Sequence, residues 1–470
     1  RSTYATMAPS QVAKDASQAQ KSSRNRVLNG RPKPDTDIAP IALLYSGFGV
    51  FLDMFKTHTS VPLVDEARLR AAVYQWAELS IAYYSLETKR RVATLPALND
   101  IFRCRIAEEP FPSLVATSIG DTTRTSDGHT LTDLLSPDVV SACKNESCNI
   151  TSETECELTA YAVQAHKYAL EMDDRRARIY AAHRVPTLLM RQEGVFIQFL
   201  GFITLDYAPR VVELTPMLSC RSDGADDRSL RDLVSAFRAA IVLRHHIRKD
   251  TAHMEPPTST AVGPPQTFPN VARCAGWGGP SAPAVEFTLK RELRPSVASP
   301  NRLLFVAEVP GKQDVVVKFT RTYSPELHDF CHKEEHAPAL LGFERLPGGW
   351  YVVVMDYLSE DQWLPLSSLM GSISEDNRKA AREQIERLAN KFHTAGWVHG
   401  DLRTANMLAQ SEWMTEGTAT SLLQIIDFDW SGKAGSARWP AFDLTDELLV
   451  KSPFKHEEDL IIHAEDDLAV

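Results

Sequence analysis

The chain has no long hydrophobic run. Its most apolar stretch, residues 38–55, is interrupted by Pro40, Gly47, Gly49 and Asp53 and falls short of the roughly 20 residues that span a bilayer. This argues against a transmembrane segment there and predicts a buried element instead. A secretory leader pattern is also missing. Residue 1 is Arg rather than Met, so the natural N-terminus is expected to lie upstream. Cysteine is sparse, seven residues at irregular spacing. That excludes a disulfide framework and favours a reducing, intracellular setting, cytoplasmic or nuclear. The sequons at Asn145 and Asn149 then read as chance matches. Positive charge is not in excess: 51 Lys and Arg stand against 61 Asp and Glu, a net charge of −10. A general nucleic-acid footprint is therefore excluded, and any phosphate binding must come from a local site. No internal repeat is present.

What remains is globular, with 43% hydrophobic residues in 470, a length that suits two or three domains. Residues 1–36 are rich in Ser, Gln, Lys and Arg and bury too little to offset ordering entropy, so disorder is expected. Residues 37–250 read as a mixed α/β domain. Helical periodicity runs over 63–105, with Leu69, Val73, Trp76 and Ser80 on one face, and over 154–172 and 229–249. Strand patterns lie between 185 and 218. Pro256, Pro257, Pro264, Pro265 and Pro269 among Ser, Thr and Gly mark 251–283 as a linker.

Residues 284–470 carry the chemistry. Strands are expected at 302–308, 314–319 and 350–355, with helices at 325–331 and 375–395, the latter stopped by Gly396. Lys318 lies on a β-branched strand, where its ammonium can reach nucleotide phosphates. Glu326, on the following helix, is the carboxylate chosen to hold it. Met355, Asp356 and Leu358 end a strand and form the expected hinge for adenine. Asp401, followed five residues later by Asn406, then Asp427 at the end of an apolar strand, are the parts of a phosphoryl-transfer site. Asp401 can orient a hydroxyl and accept its proton, and Asn406 and Asp427 can hold Mg²⁺ against ATP phosphates. Single Asp and Asn residues in loops usually make caps or turns, but this ordered set argues against that.

These phrases resemble a protein-kinase-like fold. Val315-Val-Val-Lys318 is similar to the Val-Ala-Ile-Lys strand, and His399-Gly-Asp401-Leu-Arg403-Thr-Ala-Asn406 to the His-Arg-Asp loop. Asp427-Phe428-Asp429 stands where Asp-Phe-Gly is usual. More closely, the domain resembles the fungal-type protein-kinase-like proteins related to Crinkler-like modular proteins. The resemblance implies an α+β, bilobal C-terminal domain, with Asp401 as catalytic base, Lys318 on the α- and β-phosphates, Asn406 and Asp427 on Mg²⁺, and Arg403 offsetting γ-phosphate charge. A protein Ser/Thr acceptor is expected. Three departures bear on activity. No Gly-rich loop precedes Lys318, Asp429 replaces Gly, and about 40 residues follow Asp429 with no Ala-Pro-Glu segment. Asp429 can join Mg²⁺ binding or face water. Gly400 replaces the Arg that reads a phosphorylated activation loop, so no activation-loop switch is expected. A pseudokinase scaffold and a small-molecule kinase remain alternatives.

Upstream, Asp127, Lys144 and Gln164 resemble a PD-(D/E)XK nuclease-like core, whose chemistry needs two acidic groups and a lysine near the scissile phosphate. Ala142 stands where the second acid belongs, so an inactive or remodelled nuclease-like domain is expected. Ordinary surface residues of an α/β domain account for them equally well. Cys143, Cys148, Cys156 and His166 match no standard zinc spacing.

Overall fold

The computed structural model describes residues 27–30, 38–106, 111–116, 127–130, 135, 137–144, 153–205, 208–222, 228–257, 263–293, 303–410 and 423–439, side chains of 153 and 168–172 excepted. The chain divides into two compact units, Arg1–Asn270 and Val271–Val470.

In the first unit, helices α1 (Ser46–Thr57), α2 (Glu66–Ile81) and α3 (Glu87–Phe102) precede the sheet. The expected helical region is thus two helices. Asp65 starts α2 by accepting a hydrogen bond from Arg68 N–H, an ordinary N-cap. Strands β1 (Leu114–Val115), β2 (Gly128–Thr130), β3 (Val139–Lys144), β4 (Pro186–Glu193), β5 (Phe196–Thr204) and β6 (Pro209–Glu213) lie side by side in chain order, with β7 (Leu218–Ser219) on β5. Only β3 and β4 pair in parallel among these described strands. A parallel pair needs a crossover, here α4 (Glu153–Met172) and α5 (Asp174–Ala182); α6 (Arg228–Ala252) follows the sheet.

The alternation of β5 assigns its two faces. Leu200 and Phe202 join Val140, Leu158 and Leu189 in one buried cluster. Phe199 meets Phe51 and Phe237 on the other face. Gly201 lies on that second face, where a Cβ would stand 2.7 Å from Ile41 and 3.0 Å from Phe48. The apolar stretch at 38–55 is therefore buried helix, and no described helix is long and apolar enough to cross a membrane.

Two expectations change here. Within the segment expected to be disordered, Val27 and Leu28 are buried. Leu28 N–H donates to Pro209 O at 2.9 Å, and Leu28 O accepts from Val211 N–H at the same distance, so a short apolar pair finds a sheet edge. Residues 1–26 and 31–36 are outside the described residues. The expected linker also divides between the two units. Arg184 donates to the carbonyls of Pro265, Gln266 and Phe268, supplying the backbone partners that proline-rich chain cannot find in a ladder. Further on, Trp277 N–H donates to Leu341 O at 2.9 Å, and β8 (Arg273–Cys274) pairs with β9 (Val285–Glu286).

The second unit opens with an antiparallel sheet in the order β10 (Thr288–Glu292), β11 (Leu303–Glu308), β12 (Val315–Thr320), β14 (Trp350–Asp356), β13 (Leu340–Leu346). Helix α7 (Pro325–Lys333) connects β12 to β13. Beyond the sheet lie α8 (Glu375–Thr394), the β15 (Trp363–Pro365), β17 (Met407–Gln410), β18 (Gln424–Ile425) ladder, and the pair β16 (Trp397–Val398) and β19 (Gly432–Lys433). Ala381, Ile385, Leu388 and Phe392 of α8 pack with Leu327, Met407, Ile425 and Phe428. That core ties α7, α8 and the β17–β18 hairpin together, which fixes the loops at the hairpin's end.

Candidate active site

Lys318 lies in a strand whose six residues are all buried. Its neighbours across the ladder are Leu304 on β11 and Val353 on β14. A buried ammonium requires charged partners. Lys318 Nζ lies 2.5 Å from Asp427 Oδ1 and 2.6 Å from Asp429 Oδ1, with the ring of Tyr323 5.8 Å below it. Burial pulls the lysine pKa down, but the two carboxylates outweigh that and hold it above its ordinary value. Burial pushes Asp429 up to about 6 against the pull of Lys318, and Asp427 pushes the same way. Two acids sharing one cation thus leave an excess of buried negative charge.

The loop after β16 holds the second pair. Gly400 has φ +83°, a region that costs any residue with a Cβ, which explains Gly between His399 and Asp401. Asp401 is 4% exposed. Asn406 Nδ2 donates to Asp401 Oδ2 at 2.6 Å and to its carbonyl at 3.0 Å. Arg403 Nε stands 2.9 Å from Asp401 Oδ1. Asp401 N–H points to His399 Nδ1 at 3.3 Å, and Ser431 Oγ donates to His399 O at 2.8 Å. The carboxylate is held from both oxygens, which fixes its orientation.

Strand register links the two pairs. Met407 lies opposite Ile425, and Ile426 N–H donates to Asn406 O at 2.9 Å. Asn406 and Asp427 therefore flank the same end of the β17–β18 hairpin. Asp427 has φ 71°, ψ 63°, a left-handed conformation that Asp tolerates better than most residues. With its amide nitrogen spent on Asp401, Asn406 presents its carbonyl oxygen elsewhere. One amide oxygen and one carboxylate are hard donors suited to Mg²⁺, which commonly takes one or two carboxylates plus substrate phosphates. Among the described residues no cluster of three or more His, Cys, Asp or Glu is placed to hold a metal.

The proposed hinge lies on the strand beside β12. Met355 faces Val316 across the ladder, two residues from the Lys318–Val353 pair, so Met355 and Lys318 are separated by about 7 Å along the strands. Met355 is buried, Asp356 is exposed and Leu358 is half-buried past the strand end. Asp356 N–H donates to Ala339 O at 3.0 Å.

Glu326 does not hold Lys318. It is exposed in the first turn of α7, behind Ser324 as N-cap and Pro325 at the helix start, where an acid complements the helix dipole. The buried face of α7 is Leu327, His328 and Cys331, and the i, i+4 pair 327/331 alone puts position 326 off that face. His328 is stacked on Phe428, centroids 4.7 Å apart at 11°, and bonded to Tyr323 Oη and Pro338 O, each at 2.8 Å. Sequence reasoning missed His328 and the pairing of Asp429. The Asp in place of Gly was the available signal. The segment 294–302, where a Gly-rich loop would lie, and the acidic tail are outside the described residues.

In the first unit, Asp127 is buried, accepts from Cys143 N–H at 2.9 Å and pairs with Arg91 at 3.0 Å. Lys144 pairs with Glu157 of α4 at 3.0 Å. Burial raises both Asp127 and Glu87 above the usual carboxylate range, and Asp127 adds to the effect at Glu87. Glu87, Arg91 and Glu157 were not foreseen. Ala142 is buried. His166 is enclosed between Thr187 and Thr204 at 2.9 and 2.7 Å, a structural role, and Cys148 is outside the described residues.

Residues 361–456 match the model of the lipopolysaccharide kinase (Kdo/WaaP) family. The match takes in Asp401, Arg403, Asn406, Asp427 and Asp429 and stops short of Lys318. It is well under half of the chain. Among solved structures, the crystal structure of the Rad53 kinase domain and SCD2 in complex with AMPPNP is similar at 20% identity over 31% of this chain and 51% of that one, with a TM-score of 0.22. No curated protein matches. The family match and the geometry above agree on a kinase-like fold for the second unit, of a kind found in phosphotransferases.

Proposed function

We propose that the second unit transfers the γ-phosphoryl group of ATP, with Mg²⁺, to an alcohol hydroxyl. The observation that carries this reading is the paired arrangement of Lys318 with Asp427 at 2.5 Å and Asp401 with Asn406 at 2.6 Å, joined at one end of a hairpin. Mg²⁺, when bound with ATP, neutralises charge between the phosphates. Asn406 and Asp427 are the residues that would hold it. Asp401 orients the acceptor hydroxyl and takes its proton, Lys318 aligns the α- and β-phosphates, and Arg403 offsets charge at the γ-phosphate. Met355, Asp356 and Leu358 bind the adenine.

The acceptor we favour is a protein Ser/Thr hydroxyl, following the resemblance to fungal-type protein-kinase-like proteins. A sugar hydroxyl is the second reading, favoured by the lipopolysaccharide kinase family match over 361–456. Retention of all four groups speaks against a pseudokinase. Incubation of the full chain with γ-labelled ATP and Mg²⁺, offering protein and saccharide acceptors separately, tests the reading. Label in protein supports the first, label in saccharide the second, and label in neither, with no nucleotide bound, overturns both.

The first unit is, in this proposal, a nuclease-like fold remodelled away from cleavage. Its support is Ala142 in the acidic position and Lys144 engaged by Glu157. An intracellular setting fits the described cysteines, which are all free thiols.

A further inference from the structure

Lys318 is held by two carboxylates that both come from one short motif, and by none from α7. Asp427 Oδ1 lies at 2.5 Å and Asp429 Oδ1 at 2.6 Å. The two cannot play the same part. Asp427 is the residue proposed above to meet Mg²⁺ with nucleotide, and a carboxylate oxygen facing a divalent cation is a weaker partner for an ammonium. Asp429 lies further into the 3₁₀ turn Phe428–Trp430, beside Thr320 of the same strand as Lys318. The helix offers no substitute. Glu326 is exposed, and the inward position of α7 is taken by His328, stacked on Phe428 and bonded at both ring nitrogens.

We propose that Asp429 is the positioning residue for Lys318, keeping its ammonium aimed at the phosphates while Asp427 serves the metal. The role rests on the phosphotransferase reading. The lysine, its anchor and the metal ligand are then fixed by one strand and one turn. A shift of α7 would leave the lysine paired, so helix displacement is not a route to switching this site off. The substitution of Gly by Asp after Phe428 and the placing of the only acid in the first turn of α7 on its outer side are two sides of one arrangement.

The test has two arms, both on the full chain. In the first, no nucleotide is present. Lys318 is acylated with an amine-reactive ester at mildly alkaline pH, and its labelling rate is read by peptide mass spectrometry. Removing a carboxylate partner lowers the lysine pKa, and each unit lost gives about ten times more neutral amine. Asp429→Asn should therefore label several-fold faster than wild type, with Asp429→Ser as a second variant should the first fold poorly. Glu326→Gln should label at the wild-type rate. An unchanged rate in both Asp429 variants, or acceleration in Glu326→Gln, overturns the proposal.

The second arm titrates a fluorescent ATP analogue with and without Mg²⁺. Asp429→Asn should weaken binding in the wild-type background and add nothing in Lys318→Ala, the signature of two residues acting as one unit. An Asp429→Asn effect that persists in Lys318→Ala and vanishes without Mg²⁺ would make Asp429 a metal ligand and overturn the anchor. If wild type binds no nucleotide, the phosphotransferase reading fails and the anchoring role fails with it. The labelling arm still reports whether Asp429 pairs with Lys318, so the two failures are told apart.

Discussion

Replacing Asp427 with Asn separates the metal role of that residue from any role in stability. The site holds one buried ammonium between two carboxylates, so at neutral pH it carries an excess negative charge. Asp427→Asn removes that excess and leaves a one-to-one pair between Lys318 and Asp429 at 2.6 Å. It also replaces an ion pair with an ammonium–amide hydrogen bond, a loss of order 1–2 kcal/mol that relief of the repulsion offsets. Asn accepts the left-handed conformation at φ 71° as readily as Asp, so no backbone cost is added. Without ligand, the melting temperature should stay within about 4 °C of wild type. With Mg²⁺ and ATP the two proteins should part. A ligand at about a hundred times its dissociation constant stabilises by roughly 2.7 kcal/mol. For a unit of this size, that is a rise of about 5–10 °C in wild type, and it should be lost in Asp427→Asn. Differential scanning fluorimetry with and without Mg²⁺-ATP reads both quantities. A drop of well over 4 °C in the unliganded variant would show that Asp427 is structural. A Mg²⁺-ATP shift equal to that of wild type would refute its place at the metal.

Two further outcomes concern stability. His166 is buried and its pKa is depressed to about 3, so the unfolded chain takes up a proton below pH 6.5 that the folded chain refuses. Stability is complete above 6.5 and falls as pH drops toward 3, by about 2 kcal/mol at pH 5. Urea melts at pH 7.5 and 5.0 should show this loss, and His166→Gln should reduce it. Asp138 and Arg244 are fully buried and 3.1 Å apart, with the guanidinium over Phe102 and Phe111. Arg244→Met should destabilise the first unit by about 3 kcal/mol, since Thr130 at 2.5 Å and Arg248 at 4.0 Å compensate the buried acid only in part. Asp138→Asn with Arg244→Met should recover part of that, and strictly additive effects would contradict the pairing.

Much of the second unit was legible because local pattern and tertiary role coincide there. Val315-Val-Val-Lys318 reads as a strand and is one, and α8 ends where Gly396 predicts. Asp401 and Asn406 were readable from spacing, since a five-residue separation brings them to one loop. Glu326 was misjudged because sequence order was allowed to stand for helix face. Asp429 and His328 were harder to place for a different reason: the Asp in place of Gly marks position 429 as unusual, but its pairing with Lys318 spans 111 positions and the local sequence does not name the partner. In the first unit the long helices showed in their periodicity. Strands β1 and β2 did not, because two or three residues carry no period. Val27 and Leu28 were lost in a polar context, although two apolar residues suffice to dock on a sheet edge.

In the proposed reaction Asp401 takes the acceptor's proton during transfer from ATP. Single-turnover transfer of label from γ-labelled ATP, compared between wild type and Asp401→Asn with both saturated in Mg²⁺-ATP, tests it most directly. Asp401→Asn should bind Mg²⁺-ATP with the wild-type thermal shift and lose transfer by about 10²–10⁴-fold. Transfer at the wild-type rate in Asp401→Asn would contradict it.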